Sequence, residues 1–244
     1  MNSERTATIL AGVENQVKQE KIGDELEYFS FHKNRYFDLL NRLEKLYHNN
    51  FKLLDVGSRC GHILMGARAL GYDCYGCDIL KYSELYNNRF KRFGIKNSAC
   101  LFPDDKIPYE DNFFDLAILS ETIEHYNFHP AVVFKEISRV LKKGGLLLIT
   151  TPNLARLNNR IKILLGKSIN YDIWLPYNDG IHYREYNDEE LAYLLKSGGL
   201  ETEEIKFIYF DYKDSNLLVR AANLLSGLVF KKMRSNIVII ARKK

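Results

Sequence analysis

Between Phe51 and Asn153 the chain alternates short, almost wholly apolar runs with longer amphipathic ones, and this alternation narrows the fold more than any other feature. FKLLDVG, YDCYGCDI, FFDLAILS and LLLITTPN have the length and composition of buried strands, and KNSACLF reads as a weak third strand. GHILMGARALG, ending near Gly71, and SELYNNRFKRFG have helical patterning. So does PAVVFKEISRVLKKGG, with Pro130 in its first turn and Gly144 just past its end. Strands apolar on both faces, separated by helices, predict a parallel sheet covered on both sides. The expected class is therefore α/β: a Rossmann-like, seven-stranded, mostly parallel sheet with helices on both faces.

An N-terminal helical extension precedes this core. A polar helix is expected from about Thr6 to Lys21, followed by FHKNRYFDLLNRLEKLY, where Phe31, Tyr36, Phe37, Leu40, Leu43 and Leu46 recur at helical spacing. Beyond the core, NDEELAYLLKSGG reads as a well-capped helix, and ETEEIKFIYF and SNIVIIARK as two late strands forming an antiparallel edge. One domain over 1–244 is expected: helices over 1–48, a cofactor-binding core over 51–153, an acceptor-side insert and helix over 154–198, and C-terminal strands with a basic helix over 199–244.

With 46% hydrophobic and 27% charged residues the chain is expected to fold throughout. The first residues lack the basic-then-apolar order of a leader, and no run reaches the length of a membrane span, so a cytoplasmic location is expected. Four cysteines (Cys60, Cys74, Cys77, Cys100) are too few and too clustered for a disulfide framework; Cys74-x-x-Cys77 lacks a second pair to complete a zinc site and reads as strand packing. The net charge of +4 is uneven: from Asp211 onward eight Lys or Arg stand against two Asp, +6, leaving −2 elsewhere. Beside LLVRAANLLSGLVF, this basic C-terminal region is compatible with a sheet-covering helix, with peripheral contact to anionic lipid, or with nucleic acid.

The first strand ends in Asp55-Val56-Gly57-Ser58-Arg59-Cys60-Gly61, where two glycines allow a sharp turn and close approach of a ligand to bare backbone. Asp78 ends the second strand 23 residues beyond Asp55, placed to accept the hydrogen bonds of a ribose diol. A pyrophosphate site would want G-x-G-x-x-G, whereas here an acid precedes Gly57. Asp55 disfavours an anion and welcomes an ammonium.

LLDVGSRCGH, Asp78, PYEDNFFD, ETIEH, RVLKKGG and ITTPN, in this order and spacing, resemble the class I S-adenosylmethionine-dependent methyltransferase superfamily, and HYREYNDEELAYLLKSGGL resembles the region after its fifth strand. The resemblance implies S-adenosylmethionine as cofactor. It places Asp55, Gly57 and Gly61 at the methionine part, Asp78 at the ribose and Asp104, or equally Asp105, at the adenine amino group, with Ser58, Ile79 and Ser120 as further cofactor-binding positions. Arg59 departs from the family pattern by replacing its middle glycine; either its side chain turns away or it covers the methionine carboxylate.

After the fourth strand, Glu121, Glu124 and His125 are the catalytic candidates, His125 as the base because imidazole titrates near neutrality. Glu121, Glu124, His125 and His182 are also candidate ligands of one divalent metal. That set is similar to those of small-RNA 3′-terminal ribose methyltransferases and ubiquinone-pathway O-methyltransferases. Tyr171, Trp174 and Tyr177 suggest an aromatic platform or lid over the acceptor, or packing of their loop onto the body. The expected activity is O-methylation of a hydroxylated small molecule, sugar or lipid-linked glycan. An RNA ribose methyltransferase with a metal site, and a non-catalytic cofactor-binding partner protein, are the alternatives.

Overall fold

A computed structural model describes residues 2–48, 50–170, 181–210 and 230–244. The elements are α1 (Asn2–Glu20), α2 (Glu25–Leu46), β1 (Lys52–Val56), α3 (His62–Leu70), β2 (Asp73–Asp78), α4 (Leu80–Leu85), α5 (Asn87–Arg92) and β3 (Lys96–Ala99), then β4 (Phe114–Ser120), α6 (Ala131–Val140), β5 (Leu141–Pro152), α7 (Leu157–Leu164), α8 (Asp188–Ser197), β6 (Leu200–Ile208) and β7 (Asn236–Lys243). The strands form one seven-stranded sheet in the order β3-β2-β1-β4-β5-β7-β6. β1, β2 and β3 pair in parallel, as do β4 and β5, while β7 runs antiparallel to both β5 and β6. The α/β, Rossmann-like class is as expected, and the late edge is antiparallel, with β7 inserted between β5 and β6. No described helix is long and apolar enough to cross a membrane. The chain divides into two compact units, one built on Met1–Leu101 and one on Phe102–Tyr209 with the C-terminal strand.

In the first unit, Leu53, Leu54 and Val56 of β1 and Leu64 of α3 are buried together with a seam along α2. That seam is Phe29, Tyr36, Leu39, Leu40 and Leu43, and it corrects the expected one: Phe31 is exposed, and Phe37 and Leu46 are only half-buried. The helix begins six residues earlier than FHKNRYF suggests, which lets Phe29 lead the buried stripe. Gly66 lets α2 and α3 approach closely, because a Cβ there would meet Leu40 Cδ2 at 2.6 Å. All four cysteines are free and buried. The expected single helix over SELYNNRFKRFG is two short helices, α4 and α5, meeting at Tyr86.

In the second unit, RVLKKGG does not end a helix at Gly144 as its sequence suggests. α6 stops at Val140 and the chain turns extended at Leu141, which pairs with Phe114; the register then jumps so that Leu116 pairs with Leu146. The intervening residues bulge tightly enough that a Cβ on Gly145 would meet the Lys142 carbonyl at 2.8 Å. α8 is capped as expected: Asn187 Oδ1 accepts from Glu190 N–H at 2.8 Å, and Glu190 accepts from Asn187 N–H at 3.0 Å. The expected basic tail helix and the aromatic residues Tyr171, Trp174 and Tyr177 lie outside the described residues.

Candidate functional site

The donor loop lies in the first unit. Gly57 N–H donates to the Cys77 carbonyl at 2.8 Å and takes φ +81°, so the chain leaves β1 in a conformation that favours glycine. Gly61 N–H donates to the Ser58 carbonyl at 2.7 Å, closing the loop before α3. Gly61 has φ +73° and lies against Phe90, where a Cβ would meet the ring at 2.4 Å. Asp78 is held by two backbone donors, Arg59 N–H at 2.6 Å and Ile79 N–H at 2.7 Å, which fix its carboxylate at the end of β2.

Asp55 is buried, and burial together with the nearby Asp78 carboxylate pushes its pKa up to about 7 against the pull of Arg35. Among the described residues no hydrogen-bond donor reaches it. The buried Ser58 Oγ likewise has no hydrogen-bond partner among the described residues. A ligand bringing an ammonium and further polar groups to this loop would answer both deficits, so the residues present fit the methionine part of S-adenosylmethionine.

Arg59 takes φ +39°, unusual for a side-chain-bearing residue. Its guanidinium stands 4.5 Å above the Tyr28 ring and 5.3 Å from that of Tyr82, a cation–π arrangement that anchors the side chain on α2 and α4. Only its backbone N–H faces Asp78. A buried network not foreseen from the sequence braces the same loop. Glu25 accepts from His62 Nε2 at 2.6 Å and from both terminal nitrogens of Arg89; Arg89 also donates to the Cys60 carbonyl at 2.8 Å; and Tyr36 O–H donates to His62 Nδ1 at 3.1 Å. Burial holds the His62 pKa below its ordinary value despite Glu25, so the neutral ring, with Nε2–H donating, fits this geometry. Glu25, Cys60 and His62 are close enough to share a cation, but Arg89 already neutralises the carboxylate.

The acceptor-side candidates lie in the second unit. Ser120, at the end of β4, shares a hydrogen bond with Thr150 at 2.8 Å. Glu121 follows with φ +49°, and its carboxylate lies 3.4 Å from Asn236 Nδ2 at each oxygen. Strain of this kind at a strand end is a frequent mark of functional sites. A 3₁₀ turn over Ile123–His125 then presents Glu124 and His125. Glu124 is fully buried and accepts from Thr151 Oγ1 at 3.0 Å, while its carbonyl accepts from Tyr183 N–H at 2.8 Å.

His125 Nδ1 lies 2.9 Å from the Ile181 carbonyl, so in the neutral ring Nδ1 carries the proton and Nε2 the lone pair. The His182 ring stands 4.9 Å from that of His125, near perpendicular, and its Nδ1 is 3.6 Å from Glu185. Of the four expected metal candidates, Glu124, His125 and His182 bring ligand atoms within 4.8 Å of one another; Glu121 is not in this group. Burial would push the Glu185 pKa up, but hydrogen bonds from His182, Arg156 and Asn159 prevail and hold it at about 2. Asp104 and Asp105 are both exposed in the loop after β3.

A cavity of about 750 Å³ opens beside this cluster, walled by Tyr126, Phe128, Pro130, Tyr186, Tyr193 and Leu194. Tyr126 and Phe128 stack with ring centroids 4.8 Å apart, and Glu189, Glu190 and Arg184 stand on its lining. Its walls come from segments more than fifty residues apart in the chain, which is why spacing alone did not show it. The aromatic count of Tyr126-x-Phe128 was the one available signal.

A methyltransferase-domain family model matches residues 28–205. A probable S-adenosylmethionine-dependent methyltransferase of Mycolicibacterium smegmatis is 33% identical over 166 residues, 61% of this chain and 58% of that protein. The mitochondrial ubiquinone biosynthesis O-methyltransferase of Mus musculus is 24% identical over 169 residues, 67% of this chain and 45% of that protein. The chain spans between 30% and 58% of the length of the curated relatives it matches. Among solved structures, the cyclase SpnF aligns with a TM-score of 0.58 at 17% identity, over 84% of this chain and 80% of that one, which shows a shared fold. With the family model covering most of the chain and the donor loop built as described, this chain belongs to the class I S-adenosylmethionine-dependent methyltransferase family.

Proposed function

We propose that the chain is an active methyltransferase that transfers a methyl group from S-adenosylmethionine to an oxygen of a hydroxylated acceptor: a small molecule, a sugar or a lipid-linked glycan. The fold does not carry this by itself, since a cyclase shares it. The carrying observation is the His125 tautomer: Nδ1–H is committed to the Ile181 carbonyl, leaving Nε2 as a proton acceptor next to buried Glu124. When bound, S-adenosylmethionine supplies an electrophilic methyl on a sulfonium. Asp55 would face the methionine ammonium, Asp78 and Ile79 the ribose, and Gly57, Ser58 and Gly61 the loop backbone; Asp104 and Ser120 stay as proposed outer contacts. Nε2 of His125 would take the proton of the acceptor hydroxyl as its oxygen takes the methyl and the methyl–sulfur bonding pair stays with S-adenosylhomocysteine, and Glu124 and Glu121 would orient the loop that carries His125. The aromatic cavity suits the flat face of an aromatic or sugar ring. The mouse relative's name, an O-methyltransferase of ubiquinone biosynthesis, supports oxygen as the acceptor atom.

Methyl-donor consumption measured against catechols, sugar nucleotides and short RNAs tests this. Turnover with a hydroxylated acceptor, lost in His125→Ala, is expected; turnover on RNA alone moves the assignment to the ribose methyltransferase reading. Consumption with none of them, donor binding intact, favours a non-catalytic binding protein.

A second reading rests on the convergence of Glu124, His125 and His182, which would hold a divalent ion suited to nitrogen ligands, such as Zn²⁺ or Mn²⁺, and so acidify the acceptor hydroxyl. Calorimetric titration with Mg²⁺, Mn²⁺ and Zn²⁺ separates the two: binding lost in His182→Ala supports the metal, and no binding returns His125 to unaided base chemistry.

A further inference from the structure

The Leu157–Leu164 helix, α7, falls in the stretch expected as an acceptor-side insert (154–198) and presents an unusual surface. Ile161, Ile163, Leu164 and Leu165 are 44%, 58%, 84% and 66% exposed. Ile161, Leu164 and Leu165 fall on one face at i, i+3 and i+4, while Ile163 stands on the opposite side, so the tip is apolar around much of its circumference. From Leu154 to Asn170 the chain carries Arg156, Arg160, Lys162 and Lys167 and no Asp or Glu. Arg156 is spent on Glu185; among the described residues, no acidic side chain pairs with Arg160, Lys162 or Lys167.

The base of the helix is fixed. Asn159 is buried and donates to the Leu154 carbonyl at 2.9 Å and to Glu185 at 3.0 Å, and Arg156 bonds the Asn153 carbonyl at 3.1 Å. A rigid root thus carries an apolar, cationic tip, and at about 12 Å the helix is far too short to cross a bilayer.

We infer that the tip of α7 docks on an anionic lipid surface, its aliphatic side chains entering the interface and Arg160, Lys162 and Lys167 meeting the headgroups. Apolar groups around the helix suit immersion in a fluid medium better than a partner groove, which would take one face. These cations, paired with no acidic side chain among the described residues, supply the charge complementarity that selects a membrane. Docking of the tip holds whatever the methyl acceptor is.

Flotation with vesicles of phosphatidylcholine alone, and of phosphatidylcholine mixed with phosphatidylglycerol, tests it without donor or acceptor. Wild type should float with the anionic vesicles and not with the neutral ones. Lys162→Gln/Lys167→Gln should weaken the partition about 25-fold, taking about fivefold per cation, and Ile163→Glu/Leu164→Glu should abolish it. Ile163, Leu164 and Lys167 are exposed and Lys162 is half-buried with no ion pair among the described residues, so the variants should keep the wild-type circular dichroism spectrum and melting temperature. Failure of wild type to float, equal floating of wild type and both variants, or a Leu164→Glu-sensitive self-association in place of vesicle binding would each overturn the inference.

Discussion

Replacing Asp55 by Asn separates what this residue costs the fold from what it gives the donor site. Its carboxyl is buried near Asp78, and its pKa stands at about 7 against an ordinary 3.8. A raised folded pKa means that the native state binds the proton more tightly than the unfolded chain. Stability is therefore lost as pH rises from about 4 to about 7 and stays low above that. The two pKa values imply a penalty that is larger by about 2–3 kcal/mol at about pH 8 than at about pH 5.

Asn carries no such titration, though its buried amide costs about 1–3 kcal/mol if left unbonded. That cost is the same at both pH values and cancels. In denaturant titrations without ligand, Asp55→Asn should therefore gain on wild type by about 2–3 kcal/mol between about pH 5 and about pH 8. With S-adenosylmethionine the order reverses: the ammonium restores the wild-type carboxylate, and the donor should stabilise wild type far more than Asp55→Asn. A stability difference independent of pH, or equal stabilisation of both proteins by the donor, would refute the argument.

His125→Ala should lower kcat by about 10²–10⁴-fold with donor affinity unchanged, and His125→Gln, which retains a donor toward Ile181 but no base, should not recover it; steady-state kinetics beside donor titration checks both. Asn187→Ala removes the α8 capping box and should cost about 1 kcal/mol, a fall in Tm of about 2–4 °C by calorimetry. The Glu185 pKa is depressed to about 2, so its contribution is present above the ordinary carboxylate range and lost as pH falls through about 2. Glu185→Gln should thus destabilise at neutral pH by about 1–3 kcal/mol, and denaturant midpoints should show the gap closing in acid.

The parallel core was readable because its strands are buried on both faces and need no partner to be recognised: Leu53, Leu54 and Leu116 to Leu119 read as strand from composition alone. Elements decided by tertiary contact were not. Lys142 to Gly145 carry helix-compatible residues and a C-cap glycine, but pairing of Leu141 with Phe114 draws them into β5. Phe31 fits the helical period of α2, yet the start of the helix at Glu25 passes the buried stripe to Phe29.

The candidate site divides the same way. Asp55, Gly57, Gly61 and Asp78 belong to one local strand-loop-helix unit with a short reach, so their spacing carries the geometry. The orientation of His125 depends on a carbonyl 56 residues away, and the bracing of the donor loop on Glu25, His62 and Arg89 spans separations up to 64. No spacing rule relates such residues. Glu121 illustrates the opposite error: E-x-x-E-H suggests convergence, whereas Glu121 takes a left-handed φ and lies against Asn236.

The central claim is that this loop binds S-adenosylmethionine through Asp55 and Asp78, and calorimetric titration of the donor into wild type and Asp78→Ala tests it most directly, with NADH as the control ligand. Saturable binding of S-adenosylmethionine to wild type, weakened at least tenfold, or about 1.4 kcal/mol, in Asp78→Ala, with no heat from NADH, is the result predicted. Binding of NADH in place of S-adenosylmethionine, or donor binding indifferent to Asp78, would contradict it.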